Sequence, residues 1–404
     1  MALELLHRAL LGMAALSALW LILCHALTWL YFARYRRAFP PNDYAPPVSL
    51  IKPTKGVDQD ALANFRSFCE QDYPSEYEVL FCVEDPADPV VPIIQQVIAA
   101  YPQRSVRLVF SDRLDTRSVG KLKNMIAGLQ HSRHQIVAFS DSDAHVPPHY
   151  LRSAVAALKD ERVGLAFSGQ SVSGARDWPA ALEAVAVNEL VLRIAPVCML
   201  GMFDGAVATS MVLRKQAIVD GGGLEQLGRN ISDEIPLSRV IQASGYRVHL
   251  LGEPVQITHA HDTFGGWWEH MHRWKVIIRH YWPLKSAIRD LLDMLLWWAL
   301  AALALALVRG KHIPPALFLS GLALTLSCVS AVLVAALRTE GGLALRYLWA
   351  APLYELCRLP LFIHSWATSE IMWRGRRFRI NADCTTTIVE RGEPLADLGG
   401  LPPR

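Results

Sequence analysis

The chain has 404 residues, enough for one α/β domain of ordinary size and several membrane helices. Hydrophobic residues make up 52%, charged residues 19%, and the formal net charge is +3. So small a charge, with no basic stripe interleaved with aromatics, excludes nucleic acid as the main partner. Cys24, Cys69, Cys82, Cys198, Cys328, Cys357 and Cys384 show no metal-ligand spacing. They read as free thiols of a reducing compartment, not as a zinc site or a disulfide framework.

Leu10 to Phe32 carries no Asp, Glu, Lys or Arg. At about 1.5 Å per residue this run can cross a hydrocarbon core of about 30 Å. Arg34, Arg36 and Arg37 follow it, so residues 1–33 read as a retained anchor with its basic flank in the cytoplasm. A proline-containing linker, 34–47, comes next. Val48–Ile51, Glu78–Val83, Val106–Phe110 and Ile136–Ser140 are short apolar runs expected to be buried parallel strands. Gln59–Gln71, Val90–Tyr101 and Lys121–Gln130 alternate with them as helices. Residues 48–262 are thus expected to form an α/β domain around a doubly wound, mostly parallel sheet, with ligands at the carboxyl ends of its strands.

Residues 263–286 mix Phe264, Trp267, Trp268, Trp274, Tyr281 and Trp282 with basic residues, the composition of an interfacial helix. An ordinary core helix is the plainer reading. Residues 287–372 hold the apolar runs Ala287–Val308 and Ile313–Leu337, then Leu345–Met372, interrupted by Pro352, Glu355, Arg358 and Pro360. Three spans there would leave the basic run Arg374 to Arg377 outside, against the positive-inside rule. The last segment is therefore expected to be re-entrant or interfacial, and 373–404 to be a cytoplasmic tail.

The fourth strand runs into Asp141-Ser142-Asp143. Two carboxylates one residue apart at a strand end can share a Mg²⁺ or Mn²⁺ with a diphosphate, which marks Asp141 and Asp143 as candidate metal ligands. Asp85 and Asp88 follow the second strand, and either could accept hydrogen bonds from a base or ribose; a solvated turn is the plain alternative. Lys52 and Lys55 follow the first strand, and Lys121 and Lys123 open the helix before the fourth. A lysine there could meet phosphate. Ser232-Asp233-Glu234 offers a general base for a hydroxyl acceptor, or merely helix caps. His270, Arg273 and Trp274 share one helix face, where Arg could grip a diphosphate and Trp could wall an acceptor channel.

The ordered set resembles the family-2-like inverting glycosyltransferases, above all the ceramide glucosyltransferase group. The likeness rests on Ser49 to Asp58, Asp72-Tyr73-Pro74, Cys82 to Pro89, Lys121 with Asn124, Asp141, Met211 to Lys215, Gly222-Gly223-Leu224 and Trp373 to Arg379. It implies a GT-A-like nucleotide-sugar transferase domain and a UDP-sugar donor held at Asp85, Asp88, Lys121 and Asp141. It also implies a divalent metal and a lipid hydroxyl acceptor in the bilayer. The sequence is most similar to the bacterial branch associated with hopanoid biosynthesis. That branch implies transfer of N-acetylglucosamine to bacteriohopanetetrol on the inner face of the bacterial cytoplasmic membrane. Transfer of glucose to ceramide is the alternative, followed by a processive polysaccharide synthase and a non-catalytic membrane partner. Two positions depart from the pattern. The acid that resembles the base is Glu234, preceded by Asp233, the reverse of the usual order. His270 stands first in a Gln/Arg-x-x-Arg-Trp motif. Glu234 is the expected base, with Asp233 as its alternate.

Overall fold

A computed structural model of the chain describes residues 1–38, 44–112, 120–172, 175, 177–228, 230–257, 263–336, 348–373 and 376–389. Residues 34–38 of the expected linker continue the first helix, while residues 39–43 of it, and residues 374, 375 and 390–404 of the expected tail, lie outside the described residues.

Helix α1 (Ala2–Ala38) leads to the α/β domain. There β1 (Val48–Thr54), α2 (Ala61–Cys69), β2 (Tyr77–Val83), α3 (Val91–Ala100), β3 (Ser105–Phe110), α4 (Lys121–His131) and β4 (Ile136–Ser140) follow in order, each close to its expected place. All residues of β1, β2 and β4 are buried. That is why these strands are rich in apolar residues on both faces and do not simply alternate. Phe65 and Phe68 of α2 and Ile94 of α3 pack with Leu50 and Phe81 on one face. Met125 and Ile126 of α4 pack with Ile51 and Leu80 on the other. Burial of each large side chain contributes about 1.5–3 kcal/mol. The α4 backbone comes so near the sheet that a Cβ on Gly128 would stand 2.3 Å from Ile51 Cγ2, so only glycine fits there.

The chain continues through β5 (Ala144–His145), α5 (Tyr150–Ala156), β6 (Val163–Ser168), β7 (Gln170–Val172), α6 (Trp178–Asn188), α7 (Val191–Met199) and β8 (Ser210–Arg214). Then come α8 (Lys215–Asp220), α9 (Glu234–Ala243), β9 (Arg247–Leu250) and β10 (Val255–Ile257). The seven-stranded sheet has the order β3-β2-β1-β4-β8-β6-β9, and β5, β10 and β7 form a small second sheet. Strands β1 to β4 are parallel, whereas β8 is antiparallel to β4 and β6. The order turns back between β1 and β4, the topological switch point where such sheets bind ligands.

Beyond the domain lie α10 (Phe264–Tyr281), α11 (Pro283–Leu292), α12 (Leu295–Arg309), α13 (Ile313–Ala336) and α14 (Ala350–Ala367). Among the described residues two helices are long and apolar enough to cross a membrane, Ala2–Tyr35 and Ile313–Leu333, and α11 with α12 is a third candidate bent by 51°. They meet through Ala14, Ala18, Ala299 and Ala323 among leucines, small residues that let helices approach closely. The expected interfacial helix over 263–286 is in fact two helices, broken before Pro283. α10 buries Trp267, His270, Met271 and Val276, while α11 exposes Leu284 and Ile288. Trp267 packs edge-on against Tyr354 of α14.

α14 carries Glu355 and Arg358 inward. Arg358 meets Glu189 and, at 2.9 Å, Glu355, while Arg193 meets Asp293 at 2.9 Å. Trp20 of α1 donates to Asp293 at 2.9 Å. The start of the expected tail is structured: β11 (Glu370–Trp373), β12 (Arg376–Ile380) and β13 (Thr386–Ile388) form an antiparallel sheet. Ile371, Ile380 and Cys384 of this unit pack with Ile231, Ile235 and Val276. The apolar residues interleaved with the arginines account for this: alternation along Arg377-Phe378-Arg379-Ile380 gives a strand one buried face.

Candidate functional site

At the switch point β4 ends in the Asp141-Ser142-Asp143 turn. The Asp141 amide donates to Thr209 O at 2.9 Å, next to β8, and the Ala144 amide donates to Asp141 O at 3.2 Å. Lys121, the first residue of α4, reaches across with its Nζ 2.7 Å from Asp141 Oδ1. The same Nζ lies 3.0 Å from Asp233 Oδ1 and 2.9 Å from Glu234 Oε1. One ammonium thus joins the candidate metal loop to the candidate base pair, which lie more than ninety residues apart in the chain.

Asp233 and Glu234 stand at the start of α9, where the helix dipole favours carboxylates. Helix capping does not account for them. Asp233 makes no side-chain cap bond, and Ser232 Oγ takes the Ile235 amide instead, at 3.4 Å. Ser232 also donates to Glu234 Oε2 at 2.7 Å, so both Glu234 oxygens are engaged. Asp233 Oδ2 is buried and accepts no hydrogen bond among the described residues.

The titration behaviour follows from this packing. Burial pushes Asp141 up to about 7, opposed by Lys121 and reinforced by Asp143. Burial, with the charge of Glu234 beside it, raises Asp233 to about 6. Glu234 is also buried, but the charge and hydrogen bond of Lys121 and the Ser232 hydroxyl outweigh that and hold it below the ordinary value. Burial works against the charge of Lys121, yet its three carboxylates raise it well above a free lysine. Two adjacent acids are thereby driven apart, one poised near neutrality and one kept ionised, an arrangement suited to acid–base work.

On the far side of β1 the loop after β2 folds onto the loop after β1. Asp88 accepts the Gly56 amide with both oxygens at 3.0 Å and the Val90 amide at 2.9 Å. Gly56 is left-handed at φ 68°, a conformation glycine adopts without strain. Asp88 therefore shapes the rim and keeps acceptor capacity on Oδ2. Asp85 accepts the Ala87 amide at 2.8 Å and is exposed. Asn124 stitches the floor, donating to Thr54 O at 3.2 Å and accepting from Ser111 at 2.6 Å.

His270, Arg273 and Trp274 belong to α10. His270 lies 4% exposed with Nδ1 2.7 Å from Glu183 Oε1 of α6, and Trp274 packs edge-on against it. The histidine that departs from the motif thus has its own partner inside the protein. Glu183 was not singled out from the sequence. The available signal is one acid within the apolar run Trp178 to Asn188.

Among the described residues no group of three or more His, Cys, Asp or Glu is arranged to hold a metal by itself. Asp141 and Asp143 supply two carboxylates on the turn after β4, at the switch point of the sheet. Such a pair fits Mg²⁺ or Mn²⁺, which take one or two carboxylates and complete their shell with phosphate oxygens.

The glycosyl transferase family 21 profile matches residues 10–386. Ceramide glucosyltransferase 1 of Caenorhabditis elegans is 24% identical over 274 residues, 66% of this chain and 57% of that protein. Ceramide glucosyltransferase 3 of the same worm is 23% identical over 317 residues, 77% of this chain and 67% of that one. A ceramide glucosyltransferase of Candida albicans is 31% identical over 121 residues, 28% of this chain and 22% of that one. The chain therefore spans little more than half the length of the first of these relatives. A mannosyltransferase from Pyrobaculum calidifontis in complex with GDP-Man and Mn²⁺ superposes with a TM-score of 0.47 at 21% identity, covering 85% of this chain and 99% of the other. Glucosyl-3-phosphoglycerate synthase from Mycobacterium tuberculosis, with Mn²⁺ and UDP-glucose, gives 0.36 at 14% identity over 60% of this chain and 80% of its own. With the profile running almost from end to end, the chain belongs to glycosyl transferase family 21.

Proposed function

We propose that the chain is a membrane-anchored inverting hexosyltransferase that moves a sugar from a UDP donor to the hydroxyl of a membrane lipid. The observation that carries this reading is the Lys121 bridge between Asp141 and the Asp233–Glu234 pair. It sets a diphosphate-type subsite and a base within one side chain of each other. Asp141 and Asp143 would hold the divalent cation, which when bound offsets the charge that develops on the departing diphosphate.

Asp233 is the base we propose, because its Oδ2 is buried without a partner and its affinity for a proton is raised. It takes the proton of the acceptor hydroxyl while that oxygen attacks the anomeric carbon from the face opposite the UDP. Glu234, paired to Lys121 and Ser232, fixes the lysine and stays ionised. Lys121 supplies positive charge between the two half-sites. Asp85 and Asp88 edge the crevice where the uridine would lie. Arg273 and Trp274 are proposed to face the diphosphate and acceptor, with His270 seating their helix on Glu183. The catalytic domain is placed in the cytoplasm, where UDP-sugars are made.

The donor and acceptor are proposed as UDP-N-acetylglucosamine with a hopanoid polyol such as bacteriohopanetetrol. UDP-glucose with ceramide is the second pairing, favoured by the names of the curated relatives. Purified protein in lipid nanodiscs, incubated with each radiolabelled donor and each acceptor, tests both. One labelled glycolipid from one pairing is expected. No product from any pairing, with UDP affinity also absent, would sink the reading.

A further inference from the structure

The Asp141-Ser142-Asp143 turn is gripped residue by residue by one stretch of chain. Lys52 of β1 donates from Nζ to the carbonyl oxygen of Asp141 at 2.7 Å. Ser142 Oγ donates to Asp58 Oδ2, in the loop after β1. Asn64 of α2 donates from Nδ2 to the carbonyl oxygen of Asp143 at 3.3 Å, and to Gln59 O at the same distance. Three successive residues of the turn thus each meet one polar side chain of the β1–α2 segment.

Lys52 is the unusual member. It is 0% exposed, and its ammonium sits 3.6 Å from the ring centroid of Phe68 and 6.0 Å from that of Phe65. An ammonium taken wholly out of water is costly unless something repays its lost hydration. Here the Asp141 carbonyl, the aromatic faces and the nearby charges of Asp143, Asp141 and Asp58 offset part of that cost, and burial still holds the lysine below its ordinary value. An apolar residue would fill the same space in the β1 core without that cost, so packing alone does not explain a lysine. Asn64 is likewise 1% exposed.

We propose that Lys52, Asp58 and Asn64 are positioning residues, a rear clamp that holds the acidic turn in register so that the Asp141 and Asp143 side chains present together to cation and diphosphate. Lys52 acts from behind, on the backbone, and touches neither substrate. The proposal rests on the donor-site reading above.

The sign of one measurement separates clamping from mere charge. If Lys52 were only a nearby cation, its removal would strengthen binding of a divalent cation, because a repulsion is lost. If it positions the turn, removal weakens that binding, as loss of an outer-shell partner does, by about 10–100-fold. The experiment compares full-length wild-type protein with Lys52→Met, Asn64→Leu and Ser142→Ala in nanodiscs, measuring Mn²⁺ affinity without donor. Hydrogen exchange at the Asp141 and Ala144 amides is followed in the absence of metal. We expect weaker Mn²⁺ binding in all three variants, mildest in Ser142→Ala, and exchange about tenfold faster at those two amides in Lys52→Met.

Unchanged or tighter Mn²⁺ binding in Lys52→Met, or unchanged exchange, overturns the clamp. Lys215→Met removes a lysine that donates to Ser132 O at the opposite strand ends and should move neither readout. Should Lys52→Met fail to fold, Ser142→Ala carries both measurements, because it deletes a single hydroxyl. A wild type that binds no Mn²⁺ defeats the functional reading, while the exchange rates still decide the clamp.

Discussion

Lys121 faces Asp141, Asp233 and Glu234, one cation against three carboxylates. Between the helices, Arg193 and Arg358 meet Glu189, Asp293 and Glu355, two cations against three. The helical cluster is sealed, with its side chains between 6% and 9% exposed, and is braced by the Trp20 indole. In the strand-end cluster Lys121 and Asp141 stay 28% and 30% exposed, while each cluster keeps a buried polar atom without a hydrogen-bond partner among the described residues, Asp233 Oδ2 here and Arg193 Nη1 there. A sealed, braced network acts on the fold. A reachable one with excess negative charge is suited to receive a ligand that brings positive charge, and its exposure is what singles it out as the candidate site.

The comparison breaks first at the turn itself. Asp141→Ala and Asp143→Ala should each cut transfer by at least about 10²–10³-fold, as loss of a group that stabilises transition-state charge does. Folding should be kept, since the turn carries little core, and circular dichroism with transfer assays checks both halves. Full transfer in a chelated sample would remove the metal from the argument.

The next effect lies in the acid pair. Asp233→Asn should lower turnover by about 10²–10⁴-fold, the usual worth of a general base. Its proton must be off for it to act. Activity should therefore rise with pH through about 6, the value to which burial lifts Asp233, and the asparagine variant should lose that acidic limb. Glu234→Gln should cost less, because Glu234 is already spent on Lys121 and Ser232. Calorimetry with UDP should show donor binding retained in Asp233→Asn. The reverse ranking of the two variants would assign the base to Glu234.

The sealed cluster should answer in the opposite currency. Arg358→Met leaves buried carboxylates without their cation and should destabilise by about 3–5 kcal/mol in urea unfolding, with UDP affinity unchanged in whatever remains folded. A variant as stable as wild type but weak in UDP binding would show that the two clusters are not distinct in kind. The smallest effect is expected at His270→Gln, which restores the commoner residue of the motif but exchanges an ionisable partner of buried Glu183 for an amide. About 1–3 kcal/mol of stability should be lost. Much of it should return in the double variant with Glu183→Gln, read by thermal unfolding.

The four parallel strands, their intervening helices and the anchor were legible because each announces itself locally. Val48 to Ile51 and Ile136 to Ser140 are mostly apolar runs of strand length, and Leu10 to Phe32 has no Asp, Glu, Lys or Arg over a membrane's width. The Asp141-Ser142-Asp143 turn was legible because a strand end is a place where ligands gather. The C-terminal strands were harder to see. Arg377-Phe378-Arg379-Ile380 alternates, but its basic half reads equally well as a solvated tail until Ile231 and Val276 are found beneath it.

What the sequence determined by itself is the inventory: an apolar anchor, a doubly wound core, a pair of acids at one strand end and another pair before a helix. Tertiary structure alone decided how these meet. That Lys121 joins Asp141 to Asp233 and Glu234, that Lys52 turns inward onto a carbonyl, and that His270 ends on Glu183 depend on contacts between residues widely separated in the chain. Local pattern reports which face of an element is buried, through its period. It carries no information on which distant charge comes to rest opposite another, because that follows from strand order and helix docking. The balance between Asp233 and Glu234 lies furthest from the sequence. Neighbours of the same charge and nearly the same chemistry are separated only by which of them Lys121 and Ser232 can reach.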